Sequence, residues 1–174
     1  MSDEITLVPR AEAAREPVDA DAVREFLAFD VANERYALPL SCVRQIVRVP
    51  PVTEVPRSSA SVLGIISVRG TVTTVIDLRR KLRVAASPIS VRSRILIIDG
   101  GSERIGLLVD AVLQVHRLRE QEVELASVLG GNAPPYLVGI GRPGSAAGEA
   151  EARDRARADG EMLLLLDPIA LLKG

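Results

Sequence analysis

VLGIISVRGTVTTVIDLRRKL, residues 62–82, carries the clearest fold signal in the chain. Two apolar runs of strand length flank Arg69–Gly70, and both are rich in Val, Ile and Thr. Branched side chains suit a pleated surface, so the runs predict strands. Arg69–Gly70 between them marks a tight turn, and Gly70 supplies the positive φ such a turn often needs. Gly64 interrupts the first run and reads as a second residue of special backbone geometry. After Asp77, LRRKL predicts a single short turn of helix.

Working outward toward the start, VRQIVRV (43–49) sets Val43, Gln45 and Val47 against Arg44, Ile46 and Arg48. That alternation predicts a strand with a polar edge. Pro50, Pro51 and Pro56 then force an extended loop. FLAFDV (26–31) and RYALPL (35–40) predict a hairpin with Asn33 at its turn. Residues 1–24 carry little periodicity and are expected to be a mostly disordered arm, with a short helical stretch from Asp19 to Arg24. Toward the other end, RILIID (94–99), Gly100–Gly101–Ser102 and RIGLLVDAV (104–112) predict a second hairpin, which LQVHRL (113–118) continues as strand. Residues 119–134 read as a long connection. YLVGIGR (136–142) and EMLLLLD (161–167) predict two more strands, and PIALLKG a closing turn of helix. Between them, residues 143–160 are small, polar and charged with no apolar face, which predicts a mobile surface insertion. About ten short strands with few helices predict an all-β chain of antiparallel barrels rather than a βαβ fold.

Composition sets the class. The 174 residues are 47% hydrophobic but only 2% aromatic, so Val, Ile and Leu must build the core. The net charge of −1 gives no global pull toward nucleic acid or an acidic membrane. Arginine dominates the basic residues, since only Lys81 and Lys173 are lysine. RRKLR (79–83) and RSR (92–94) lack aromatic neighbours, so a solvated face or a protein interface fits them better than a nucleic-acid site. A lone Cys42 and an acidic start without a continuous apolar stretch lead to the expectation of a cytoplasmic protein. No run reaches the ~20 apolar residues that span a bilayer, so no membrane insertion is expected.

Catalytic patterns are missing. His116 is the single histidine, and it reads as a surface or rim residue. Cys42 reads as a small buried filler. There is no G-x-S-x-G, G-x-G-x-x-G or P-loop. Asp77, Asp99 and Asp110 each end or interrupt an apolar run, where acids serve turns and hydrogen bonds rather than acid–base work. The sequence therefore predicts no enzyme, no metal and no cofactor.

Four blocks in order, over roughly residues 25–172, resemble the CheW family. FLAFDVANERYALPLSCVRQIVR is similar to its opening. VLGIISVRGTVTTVIDLRRKL resembles its central block, with Arg-Gly and Asp-Leu-Arg. RIGLLVDAVLQVHRL resembles its Gly-x-x-Val-Asp-x-Val block, and YLVGIG followed by a last apolar strand completes the set. The resemblance implies two small five-stranded β-barrels facing each other across a hydrophobic seam, over residues 25–174. It implies a non-enzymatic adaptor that couples the cytoplasmic tip of a chemoreceptor to the regulatory domain of a CheA-type histidine kinase, in arrays that also include other CheW-like domains. It carries receptor contact onto Val43, Gln45, Ile46 and Arg69. Gly64, Gly70, Asp77, Val109 and Asp110 are then structural, with Asp110 tying a strand end. Gln45 stands where relatives often have Glu, Thr74 where many have Pro, and the 142–160 loop is longer than usual. The rival reading is an array protein that binds receptors or CheW-like domains without activating a kinase. A small ligand-binding or hydrolytic barrel would need convergent polar groups that the sequence does not show.

Overall fold

The computed structural model describes residues 22–144 and 161–173. The bulk of the arm, and of the insertion, lies outside those residues. Among these residues eleven strands form two sheets. One contains β1 (Val23–Val31), β2 (Glu34–Pro39), β8 (Ala111–Arg119), β9 (Val123–Leu125), β10 (Leu137–Gly141) and β11 (Leu163–Leu166). Its order is β8-β1-β2-β11-β10-β9. The other contains β3 (Val43–Arg48), β4 (Val62–Val68), β5 (Thr71–Asp77), β6 (Arg94–Asp99) and β7 (Arg104–Val109), in the order β3-β6-β7-β5-β4. The middle of the chain thus builds one lobe entire, and its two flanks build the other. Among the described residues two short helices, α1 (Leu78–Leu82) and α2 (Pro168–Lys173), close strand ends.

Three apolar clusters explain why both sheets curl. Phe26, Ala28, Ala37, Leu118, Leu163 and Leu165 come only from the six-stranded sheet. Ile66, Val75, Ile95, Ile97 and Leu108 come only from the five-stranded one. A single sheet face that makes its own core must wrap around it. The largest cluster lies between the sheets and joins Leu27, Phe29 and Leu38 of one to Leu96, Ile98 and Leu107 of the other. Strands that serve a lobe core on one face and this seam on the other are buried twice, and so read as unbroken apolar runs. In β11, Leu163 and Leu165 enter a lobe core while Leu164 and Leu166 pack on the seam. Phe29 and Tyr36 are cross-strand partners across the β1–β2 pair, with ring centroids 6.3 Å apart.

The expected all-β, two-lobed architecture is present, with refinements. One sheet has six strands rather than five, because VEL (123–125) pairs with β10 inside the expected connection. Three residues are too few for a periodic signal. The pairs β11–β2 and β5–β7 are parallel within otherwise antiparallel sheets. Val23 and Arg24 are strand, not helix, because they pair with Arg119 and Leu118 at the start of β1. Tertiary pairing here overrides a weak local helical preference.

Candidate functional site: the seam face of β3 and the Arg69 turn

Strand β3 is hydrogen-bonded on one side only, to β6. Its residues alternate between half-buried and exposed. Val43 and Ile46 are three residues apart, which in a regular strand would put them on opposite faces. A register shift between Val43 and Gln45 changes this. Val43 pairs with Ile98 and Ile46 with Leu96, two residues that both face the seam. The bulge therefore brings Val43 and Ile46 to one face. Val43 packs against the seam core, while Ile46 is 44% exposed. Gln45 pairs with Ile97 and shares the opposite, lobe-core face with Val47. Beside it, Arg44 Nε donates to Asp99 Oδ2 at 2.6 Å, and that bond holds the Asp99 carboxyl below the usual range.

Arg69 and Gly70 form the β4–β5 turn with φ of +50° and +82°. Positive φ at both central residues is the geometry that matches the twist of a two-residue hairpin. Arg69 is exposed, and among the described residues no side chain or backbone group pairs with its guanidinium. Register carries Val43 through Ile98, Ile105 and Thr74 to Ile65. Arg69 lies four residues past Ile65, so its turn projects roughly 13 Å beyond that layer, at the same end of the sheet as Val43. No hydrogen bond joins it to β3 among the described residues. Val72, 68% exposed, flanks the turn. The sequence reading did not single it out, although the alternation in TVTTVID carries the signal.

The other expected site residues sit in the frame. Gly64 has φ +152°, and a β-carbon there would overlap the Thr53 carbonyl, which bridges to Ile65. Asp77 caps α1 by accepting from Arg79 N at 3.0 Å. Arg79, only 3% exposed, reaches Asp77 Oδ1 at 3.3 Å, Asp110 Oδ1 at 3.3 Å and Ser87 Oγ at 2.6 Å. Asp110 Oδ2 accepts from Ala32 N at 2.8 Å, and Asp110 N donates to Asp30 O. This chain of bonds crosses from α1 of one lobe to the β1–β2 turn of the other. Val109, fully buried, belongs to the seam. The sequence reading placed Arg79 in a solvated or interface run. It is buried instead, and the Asp-x-Arg spacing across a helix start was the available clue.

His116 is also buried, because β1 covers it at Phe26 and Glu161 Oε1 stands 3.4 Å from its Nε2. Arg35 Nη1 donates to the same Glu161 oxygen at 2.7 Å. Cys42 donates to Pro39 O, and burial pushes its thiol up to about 11. A thiol held protonated is a poor nucleophile at neutral pH. Among the described residues, no three His, Cys, Asp or Glu side chains converge as a metal site would require. Nor is any helix among them long and apolar enough to cross a membrane.

Fold and geometry define a two-lobed all-β domain whose outward features are a strand edge, a projecting basic turn and a hydrophobic seam. A family model described as CheW-like domain matches residues 25–174, and the chain belongs to the CheW family. It is 33% identical over 101 residues to the chemotaxis protein CheW of Rhizobium meliloti, covering 58% of this chain and 65% of that one. The match thus spans just under two thirds of that relative's length. It is 32% identical over 118 residues to protein FrzA of Myxococcus xanthus, covering 67% and 73%. Its fold resembles the crystal structure of the scaffolding protein TtCheW from Thermoanaerobacter tengcongensis, with TM-score 0.73, 24% identity, and 88% and 94% of the two chains covered.

Proposed function

We propose that this protein is a non-enzymatic chemotaxis-type adaptor that holds a chemoreceptor's cytoplasmic tip and a CheA-type histidine kinase in one cytoplasmic array. Its likeness to CheW proteins and to a scaffolding protein supports the adaptor class. The observation that carries the receptor site is the β3 bulge. It turns Ile46 outward on the face where Val43 enters the seam, giving a shallow apolar strip beside a strand edge. A helical receptor tip packs on such a strip through its own apolar stripe. Arg69, projecting and unpaired among the described residues, supplies a charged contact at the same end. Gln45 faces the opposite, lobe-core side of β3 and stands outside this strip. The kinase's regulatory domain, itself CheW-like, binds elsewhere on the lobes.

The test uses the full chain with receptor and kinase. Arg69→Ala and Ile46→Asp should each weaken receptor binding, with an arginine at a hot spot worth ~2 kcal/mol or more. Melting should hardly move, because both side chains are exposed. Kinase capture should survive, and receptor-dependent kinase autophosphorylation should fall. Equal loss of receptor and kinase binding would remove this site. Intact binding of both partners without any change in kinase activity would favour an array protein that does not activate.

A further inference from the structure

Strands β4 and β5 turn one face to the core of their own lobe. Ile66 and Val75 enter that core, and Thr73, the partner of Ile66, is buried with them. By the two-residue period of a strand, Val72, Thr74 and Ile76 share the opposite face. Ser67 and Ile65 stand beside Val72 and Thr74 as their pairing partners. Ile76 belongs to the seam, Thr74 and Ile65 are half-buried, and Val72 is 68% exposed. The strip is therefore an open continuation of the seam that ends at the Arg69 turn. The Thr74 hydroxyl has no hydrogen-bond partner among the described residues. It is open to a polar group from outside the chain.

The spacing along the strip fits a helix. Arg69 stands two positions past Ser67, the partner of Val72, and Thr74 stands two positions inward of Val72. Two strand residues advance ~6.8 Å, and one turn of α-helix advances ~5.4 Å. A helix laid along this hairpin meets Arg69, Val72 and Thr74 on successive turns. An unpaired cation, an exposed aliphatic and an unpaired hydroxyl select different side chains. In order they suit an acid, an apolar residue and a hydrogen-bonding residue, each three or four positions from the last.

We propose that Val72 and Thr74 are specificity-determining residues of the receptor face. Val72 takes an apolar side chain of the bound helix, and Thr74 hydrogen-bonds a polar one a turn further on. The acid a turn before them meets Arg69. The assignment rests on the receptor reading of the Arg69 turn and names the pattern that the bound helix must carry.

Binding of the full chain to the receptor's cytoplasmic fragment tests this, with melting and kinase capture measured on the same proteins. Val72→Asp should weaken receptor binding about tenfold or more, and Val72→Ala about fivefold. Thr74→Val keeps the shape and removes the hydroxyl. It should weaken binding about fivefold, in line with one lost hydrogen bond, and should melt no lower than the unaltered chain. Thr74→Ser, which keeps the hydroxyl, should retain most of the affinity. Kinase capture should survive in every case. Val91→Asp should leave receptor binding intact. Val91 is 94% exposed just before β6, whose first residue, Arg94, pairs at the end of the sheet away from Arg69. Suppose Ile46→Asp and Arg69→Ala weaken receptor binding while Val72→Asp and Thr74→Val change it less than about twofold. That result would overturn the assignment and leave the receptor reading standing. Receptor binding untouched by all of these variants would remove both. Thr74→Ser losing as much as Thr74→Val would exclude the hydroxyl contact, and equal loss of kinase capture in Val72→Asp would exclude Val72 as a receptor-selective residue.

Discussion

Arg69 holds φ of +50°, where an L side chain is strained by roughly 1–2 kcal/mol. A turn chosen for stability would place Asn or Gly there. The arginine there projects a cation from a strained turn. Neighbouring Gly70, at +82°, has nothing within 4 Å of where a β-carbon would stand. Gly70→Ala should therefore cost only the torsional strain, about 1 kcal/mol. Gly64→Ala should cost more, because strain and overlap with the Thr53 carbonyl add. Urea denaturation of both variants checks the ranking. Cys42 gives a pH prediction. Its thiol is raised to about 11 from 9.0, with burial the largest cause. Below pH 9 the thiol is protonated in both folded and unfolded chains. Between about 9 and 11 only the unfolded chain ionises, so stability should fall with rising pH. Cys42→Ala should flatten that part of the stability curve, and native Cys42 should resist alkylation at pH 7.5.

At the scale of elements, two devices carry the design. The β3 bulge decides which residues share a face, and it converts a three-residue spacing into one apolar strip. The other is the polar chain from α1 to the β1–β2 turn. Arg79 stands between Asp77 and Asp110, and the whole run joins the two lobes. Breaking a buried pair by removing one partner leaves charge without compensation. Arg79→Met should destabilise by ~3–5 kcal/mol. Asp110→Asn, which keeps an acceptor for Ala32 N, should cost less. A loss under about 1 kcal/mol in Arg79→Met would show that the network contributes nothing to the fold. Asp77 and Asp110 were legible as strand-end acids. The arginine between them was not, because a basic run on a short helix looks the same in sequence whether one member is buried or none.

For the whole molecule, the seam should make the two lobes one cooperative unit. Its buried residues come from both sheets, and Leu107 is fully enclosed there. Leu107→Ala should cost 2–5 kcal/mol, in line with large-to-small core changes. Exchange protection in β4–β5 and in β10–β11 should fall together. If only the five-stranded lobe loosened, the lobes would be separate folding units. Chain topology favours the first outcome, since the six-stranded lobe is built from the two flanks of the chain on either side of the other lobe.

Local signals specified every strand but β9, and most turns, because period, branching and turn glycines act over a few residues. Asn33, Arg69–Gly70 and Gly100–Gly101 marked hairpins that are present. Shared blocks such as SVRG and DLRRKL also carried the family. Three other matters lay beyond local reading. The unbroken apolar runs of β6, β7 and β11 hid the fact that each serves two cores. The register shift in β3, which unites Val43 with Ile46 and turns Gln45 away, depends on pairing with β6. The burial of Arg79 and His116 depends on partners at residues 110 and 161, distant along the chain. Such contacts form only when strands far apart in sequence meet, so no local pattern can encode them.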